Sequence, residues 1–149
     1  MKRVVLYAMA GIVAAAVILG GLFAVSVLNQ SNAPNVKFID FKPEGTLILK
    51  QGQSMPVTFN IVNNEKFSVS GIIVSTTHDG QPQFFIVDRP IAAIEGIIGA
   101  NGGRTGMHTI NIIGNTINQD AVEADFTVRL TVIDGQLVDT KTFKVRLER

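Results

Sequence analysis

The chain of 149 residues contains no cysteine and no tryptophan, and it has only two histidines and one tyrosine. Without cysteine, no disulfide can hold a domain together, and an ordinary blue-copper site is excluded. A nucleophilic enzyme has few candidate bases here, and the G-x-S-x-G motif is missing. Charged residues make up 17% of the chain and the basic ones do not cluster, which argues against a nucleic-acid partner.

Residues 96–105, GIIGANGGRT, have the glycine content of a phosphate-binding loop. The pattern G-x-x-x-x-G-K-[ST], ending at Thr105, needs a glycine where Ile98 stands and a lysine where Arg104 stands. Such a loop also leads into a helix, whereas the residues after Arg104 alternate as in a strand. We therefore expect neither a nucleotide nor another cofactor, and we interpret residues 89–105 as a long connection between β segments.

A long apolar run occupies residues 4–28, which contain no charge. As a helix this run would reach roughly 37 Å, enough to cross a hydrocarbon core of about 30 Å. Lys2 and Arg3 precede it and the next charge is Lys37, so the positive-inside rule predicts a cytoplasmic N-terminus and an extracytoplasmic remainder. We predict a single-pass cell-membrane protein in which residues 1–28 form a cytoplasmic stub and a transmembrane helix.

A cleavable signal peptide is the alternative for this run, because Ala24, Val25 and Ser26 form a small-x-small cleavage site. Cleavage would leave a secreted domain. Apolar regions of signal peptides usually have about 7 to 15 residues, so the longer run favours a retained signal anchor. Both alternatives place the rest of the chain outside the cytoplasm.

Small residues recur at four-residue spacing along the run, and Ala16, Gly20 and Ala24 would let two transmembrane helices pack closely. This pattern makes an accessory subunit of a larger membrane complex the second hypothesis for the protein.

Beyond a short polar stalk at residues 29–35, the hydrophobic period changes to two. Phe126, Val128 and Leu130 alternate with polar residues, and so does the run that begins at Phe143. Asp-Gly at 134–135 between these runs predicts a hairpin. Further β segments are predicted at residues 36–41, 46–50, 56–62, 69–76, 83–88 and 108–113.

About seven or eight short strands without helical crossovers predict that residues 36–149 form an all-β domain, an antiparallel sandwich of two sheets. The closing run FTVRLTVIDGQLVDTKTFKVRL (126–147) and the opening run of residues 36–64 resemble the terminal strands of immunoglobulin-like surface modules of prokaryotes, including CARDB-like and fibronectin-type-III-like modules. The resemblance implies an immunoglobulin-like sandwich that serves adhesion, assembly or spacing. The Cys-Trp-Cys pattern of antigen-receptor domains is missing.

The apolar part of the long connection, PIAAIEGIIG, contains Ile91, Ile94, Ile97 and Ile98. These side chains either tuck over the edge of the sandwich, as in one helical turn, or stay exposed as a contact for a partner. We name these four isoleucines as the candidate site for contact with a protein partner or a membrane surface.

Metal or catalytic chemistry has little support in the remaining sequence. His78 precedes an Asp-Gly turn and His108 begins a strand, while Asp120, Glu123 and Asp125 lack the ligand spacing of an EF-hand. We expect no catalytic residue and no metal. The sequence therefore favours a membrane-anchored, non-catalytic protein that binds a protein partner or a second copy of itself, and a dispersed hydrolase or metal site is the third hypothesis.

Overall fold

The computed structural model describes residues 33–149, which fold into two packed β-sheets. The predicted transmembrane segment, with Ala16, Gly20 and Ala24, lies outside the described residues. Within residues 33–149, no helix is long and apolar enough to span a bilayer.

Ten strands and one 3-10 turn make up the described part of the chain. The strands are β1 (Val36–Lys42), β2 (Leu47–Lys50), β3 (Ser54–Asn63), β4 (Ile72–His78), β5 (Phe85–Val87), β6 (Ile91–Ile94), β7 (Gly103–Arg104), β8 (His108–Gly114), β9 (Ala121–Thr131) and β10 (Leu137–Glu148). Sheet I has the order β1-β3-β8-β5, with β7 also paired to β3, and sheet II has the order β2-β10-β9-β4-β6. The result is an immunoglobulin-like β-sandwich, as the sequence predicted.

The first two strands divide between the sheets. β1 pairs antiparallel with β3 in sheet I, whereas β2 pairs parallel with β10 in sheet II. The prediction of a purely antiparallel sandwich was therefore wrong at this one pair. The physical reason is that the chain crosses between the sheets at residues 43–46, so that β2 runs beside β10 in the same direction.

Period-two alternation explains the strands that the sequence predicted correctly. In β9, Phe126, Val128 and Leu130 are fully buried between the sheets, while Arg129 is exposed. The hairpin between β9 and β10 is also confirmed: its turn is Ile133–Gly135, and Gly135 has the positive φ of 74° that glycine adopts at no steric cost.

Residues 89–105, which we predicted to be a long connection between β segments, include two short strands of their own. They contain β6, which pairs with β4, and β7, which pairs with β3, and Ile98 forms a β-bridge with Val69. No helical turn is present in this segment. The alternation was hard to detect because two of the four residues of β6 are alanines, whose small side chains give little contrast between an inward and an outward position.

Aromatic rings fill the centre of the core. Phe126 is completely buried, and its ring centroid lies 5.5 Å from that of Phe85, 5.8 Å from that of Phe143 and 4.8 Å from that of His78. Phe38 and Phe59 form a second edge-to-face pair at 5.1 Å. Such pairs add about 0.5–1.5 kcal/mol to the free energy gained from burying their area.

Two adjacent residues of β2 test this packing. Leu49 is fully buried and Ile48 is 57% exposed. We expect Leu49→Ala to lower the free energy of unfolding of residues 34–149 by about 2–5 kcal/mol, because it leaves a cavity between the sheets. The matched variant Ile48→Ala should cost less than about 1 kcal/mol. Guanidinium unfolding monitored by circular dichroism measures both, and equal losses would contradict the assigned register of β2.

Candidate functional site

The four candidate isoleucines do not form one surface. Ile94 and Ile98 are 8% and 5% exposed and belong to the core, whereas Ile91 and Ile97 are 71% and 73% exposed. The division follows from the strand geometry of this segment, in which successive side chains point to opposite faces. Of the two alternatives that the sequence left open, Ile94 and Ile98 therefore tuck into the core, which removes them as contact residues, whereas Ile91 and Ile97 stay exposed. Partner contact by Ile91 and Ile97 stays a prediction.

Strand β6 forms an open edge of sheet II. Its only strand neighbour among the described residues is β4, and the Thr76 N–H donates to the Pro90 carbonyl across that pair. By the alternation of an antiparallel ladder, the backbone groups of Ala92 and Ile94 also face β4. The N–H and C=O groups of Ile91 and Ala93 point away from the sheet and have no strand to pair with in residues 33–149.

Strand β8 is open along half of its length in sheet I. It pairs with β3 from His108 to Ile113, but on its other side β5 covers only residues 112–114. The backbone N–H and C=O of Asn111 face this second side, where both bond to Asp88. The backbone groups of Thr109, two residues earlier, point the same way and meet no strand within the described part of the chain.

A groove of about 280 Å³ separates these two open edges. Its walls are Ala92, Ala93 and Ile94 on β6 and residues 108–111 on β8, with Phe59, Arg89 and Met107 completing the lining. We call this the edge groove. Met107, which lines the groove, is 72% exposed, and Ile91, which precedes Ala92 on β6, is 71% exposed.

The chain crosses between the sheets just beside the edge groove, and a carboxylate fixes this crossing. Asp88 accepts hydrogen bonds from the Asn111 backbone N–H and from Asn111 Nδ2, both at 2.8 Å, and its own N–H donates to the Asn111 carbonyl at 3.1 Å. Burial opposes the charged form, but the hydrogen bonds from Asn111 outweigh it, so the pKa of Asp88 lies below its usual value. The clamp holds β5 and the start of β6 in a fixed position relative to β8.

The other edge strands have features that hinder pairing with another chain, and β6 lacks these features. The outward N–H of Phe38 on β1 donates to Asp139 Oδ2 at 2.8 Å, and a bulge at Asp40, which has a φ of 53°, interrupts the same edge. β2 ends in Lys50, and β5 has only three residues. Charges, bulges and short length prevent a sheet edge from pairing with another chain. β6, with the sequence IAAI, carries no charge.

The two histidines belong to different sheets, His78 to sheet II and His108 to sheet I, and they do not form a catalytic arrangement. His78 stacks on Phe126, and its Nδ1 is buried without a hydrogen bond. His108 lines the edge groove and stacks on Phe59 at 5.7 Å, and its Nε2 is likewise buried and unbonded. In residues 33–149 there is no group of three or more histidine, aspartate or glutamate side chains that could hold a metal ion.

No family model matches the chain, and no curated protein matches it. Among solved structures it is similar to the YadV chaperone, with 17% identity, a TM-score of 0.48 and coverage of 76% of this chain and 51% of that one. It is also similar to a PapD-like domain of human CEP192 (7% identity, TM-score 0.47, 78% and 85% coverage) and to the E. coli chaperone DraB (9%, 0.45, 76% and 54%). The chain spans about half the length of the two chaperones. At such low identity the likeness concerns the fold alone.

Sequence patterns did not reveal the edge groove. Thr109 and Met107 have no special spacing, and the openness of an edge depends on which strands are neighbours, which periodicity does not encode. Of the four predicted isoleucines, Ile94 lines the groove, and Ile91 precedes the lining residue Ala92 on the same strand. A usable signal was present in Pro90-Ile91-Ala92-Ala93-Ile94-Glu95, since Pro and Glu bound a short uncharged run that has strand length.

Burial lowers the pKa of His108 from its usual value of 6.5. The unfolded chain therefore binds a proton at this residue in a pH range where the folded protein does not, so we expect stability to fall as pH decreases below about 6.5 toward the folded-state pKa. His108→Phe, which fills the same space against Phe59, should remove this component. Unfolding free energies measured between about pH 5 and 7 would contradict the assignment if wild type and variant showed the same slope.

Proposed function

We propose that this protein is a membrane-anchored, extracytoplasmic binding module that takes an extended segment of a partner protein into the edge groove. The observation that carries the proposal is the pair of open edges. Backbone groups of Ile91 and Ala93 on one wall and of Thr109 on the other lack strand partners within residues 33–149. An extended segment supplies the matching row of N–H and C=O groups.

Strand addition is the recognition mode that fits these features. Main-chain hydrogen bonds supply affinity, and alternate side chains of the added strand enter pockets and supply specificity. Here the inward side chains of the added strand would meet Phe59 and Ile94, and the outward ones would meet Ile91 and Ile73 on the outer face of sheet II. The segment should therefore be apolar on both faces.

A polar group at the groove defines the segment further. Arg89 is exposed at one end of the lining and offers a cation to an acidic residue of the partner. A partner strand with apolar residues and a carboxylate near Arg89 fits the groove best.

The membrane anchor in this proposal is supported by the uncharged run of residues 4–28 and by the basic residues before it. The resemblance to CARDB-like or fibronectin-type-III-like modules supports a role in adhesion or assembly rather than in catalysis. The partner segment belongs to another extracytoplasmic protein. An accessory subunit of a membrane complex would use the same groove, with a neighbouring subunit as the partner.

The variant Ala93→Pro tests the groove directly. Proline removes the outward N–H of the open edge and leaves the bonds between β6 and β4 in place, so the sandwich should still fold. The matched control Ala93→Ser retains the N–H. We expect a protein that co-purifies stoichiometrically with full-length wild type from membranes in mild detergent to be retained by the serine variant and bound about tenfold or more weakly by the proline variant.

Hydrogen exchange in the purified complex identifies the mode of binding. Strand addition predicts that the amides of Ile91, Ala93 and Thr109 gain protection when the partner is bound, because each acquires an acceptor. A complex that survives Ala93→Pro at full strength, or one in which these three amides stay unprotected, would contradict the proposed site. Co-migration with polytopic subunits, together with protection of the same amides, would identify the partner as a membrane complex.

A further inference from the structure

Three loops meet at the end of the sandwich where the chain enters it. Val36 pairs with Asn63, so the start of β1 lies beside the end of β3. The connection of residues 64–71, the connection of residues 95–102 and the turn Ile133–Gly135 all lie at this end, because each follows a strand that runs toward it. We call them the entry loops.

Each entry loop presents one large exposed hydrophobic side chain. Phe67 is 56% exposed, Ile97 is 73% exposed and Ile133 is 65% exposed, and Leu137 beside the turn is 50% exposed. The opposite end of the sandwich differs. Among the described residues, none of the large exposed hydrophobic side chains lies in its loops, which are residues 43–46, 51–53, 79–84 and 115–120.

A buried polar side chain holds two of these loops in place. Asn63 is fully buried, and its Nδ2 lies 2.8 Å from the Phe67 carbonyl, 3.2 Å from the Ile98 carbonyl and 3.1 Å from the Gly99 carbonyl. Its Oδ1 accepts from the Glu65 N–H at 3.0 Å. The backbone on either side of Phe67 and Ile97 is therefore fixed by one hydrogen-bonded centre, which holds both apolar tips outward.

The sequence before the sandwich limits how far this end can be from a bilayer. The apolar run ends at Leu28, and the ordered hydrogen bonding of the sandwich begins at Asn35, whose carbonyl accepts from the Asn64 N–H at 2.9 Å. The six residues between them reach at most about 20 Å when fully extended. A tether this short keeps the entry loops near the lipid surface if residues 4–28 span the membrane.

We propose that Phe67, Ile97 and Ile133 insert into the interfacial layer of the lipid bilayer that anchors the chain. This inference rests on the membrane anchor of the proposed function. Single side chains at the tips of separate loops suit the headgroup boundary, where aromatic and aliphatic groups are buried at shallow depth. Lys66, exposed next to Phe67, adds attraction for anionic lipids, and Glu95 near Ile97 keeps the insertion shallow.

The chain contains no tryptophan, so the fluorescence of an introduced tryptophan reports on one known position. The full-length variant Phe67→Trp carries a single indole, as do Ile97→Trp and the matched control Ile48→Trp on β2 at the opposite end. Each is reconstituted into vesicles of phosphatidylcholine with and without phosphatidylserine, and into the same lipids with brominated acyl chains. We expect a blue-shifted emission and strong quenching by bromine for the entry-loop variants, and neither effect for Ile48→Trp.

Vesicle flotation and intact mass separate failure of the inference from failure of the anchor. Protein that does not float with the vesicles, or that has lost residues 1–26, overturns the anchor. Protein that floats with its full mass but gives equal, unquenched emission at all positions overturns the insertion. A blue shift that grows with protein density and shows no bromine quenching also overturns it, since a second copy then covers the entry loops.

Discussion

Backbone N–H and C=O groups on a sheet edge bond to water unless a strand or a side chain covers them, and the way each edge is covered organises the structure. A two-sheet sandwich that does not close into a barrel leaves four edges. Three of them are closed by local means, namely the Asp139 carboxylate and the bulge at Asp40 on β1, the lysine that ends β2 and the brevity of β5. The fourth is β6, and because β5 covers only one end of β8, the two sheets are open on the same side.

Two polar clamps, one at the buried Asn63 and one at the exposed Asp88, position the surfaces that the fold presents to solvent. Asp88 and Asn111 fix the crossing between the sheets beside the edge groove, and Asn63 fixes two of the entry loops. Asn63 is fully buried, so another arrangement of its loops would leave this side chain without partners, while Asp88 joins the crossing segment to β8 through three hydrogen bonds with Asn111. Both clamps therefore favour preformed binding surfaces, one on the side of the sandwich and one at its entry end.

The sequence allowed the fold class to be predicted because alternation in runs such as Phe126 to Leu130 has strong contrast. Prediction from the sequence failed at β6, where Ala92 and Ala93 reduce that contrast. It also failed at β2, where no feature of the amino-acid sequence indicates parallel pairing. The edge groove lay beyond prediction for a different reason: an unpaired edge is defined by the absence of a neighbouring strand, and strand order is set by packing of the whole domain. Asn63 likewise has no motif, since two of its three carbonyl partners, Ile98 and Gly99, lie 35 and 36 residues away along the chain.

Hydrogen exchange of the free protein, followed residue by residue by NMR, tests the open edges most directly. The account predicts that the amides of Ile91, Ala93 and Thr109 exchange quickly, while those of Ala92, Ile94 and Ile110, their immediate neighbours in the chain, exchange slowly, because they donate within the sheets. Such a two-residue alternation on both strands would establish two unpaired edges bordering one groove. Slow exchange at Ala93 and Thr109 in the monomeric protein would contradict it, since those amides would then already have partners.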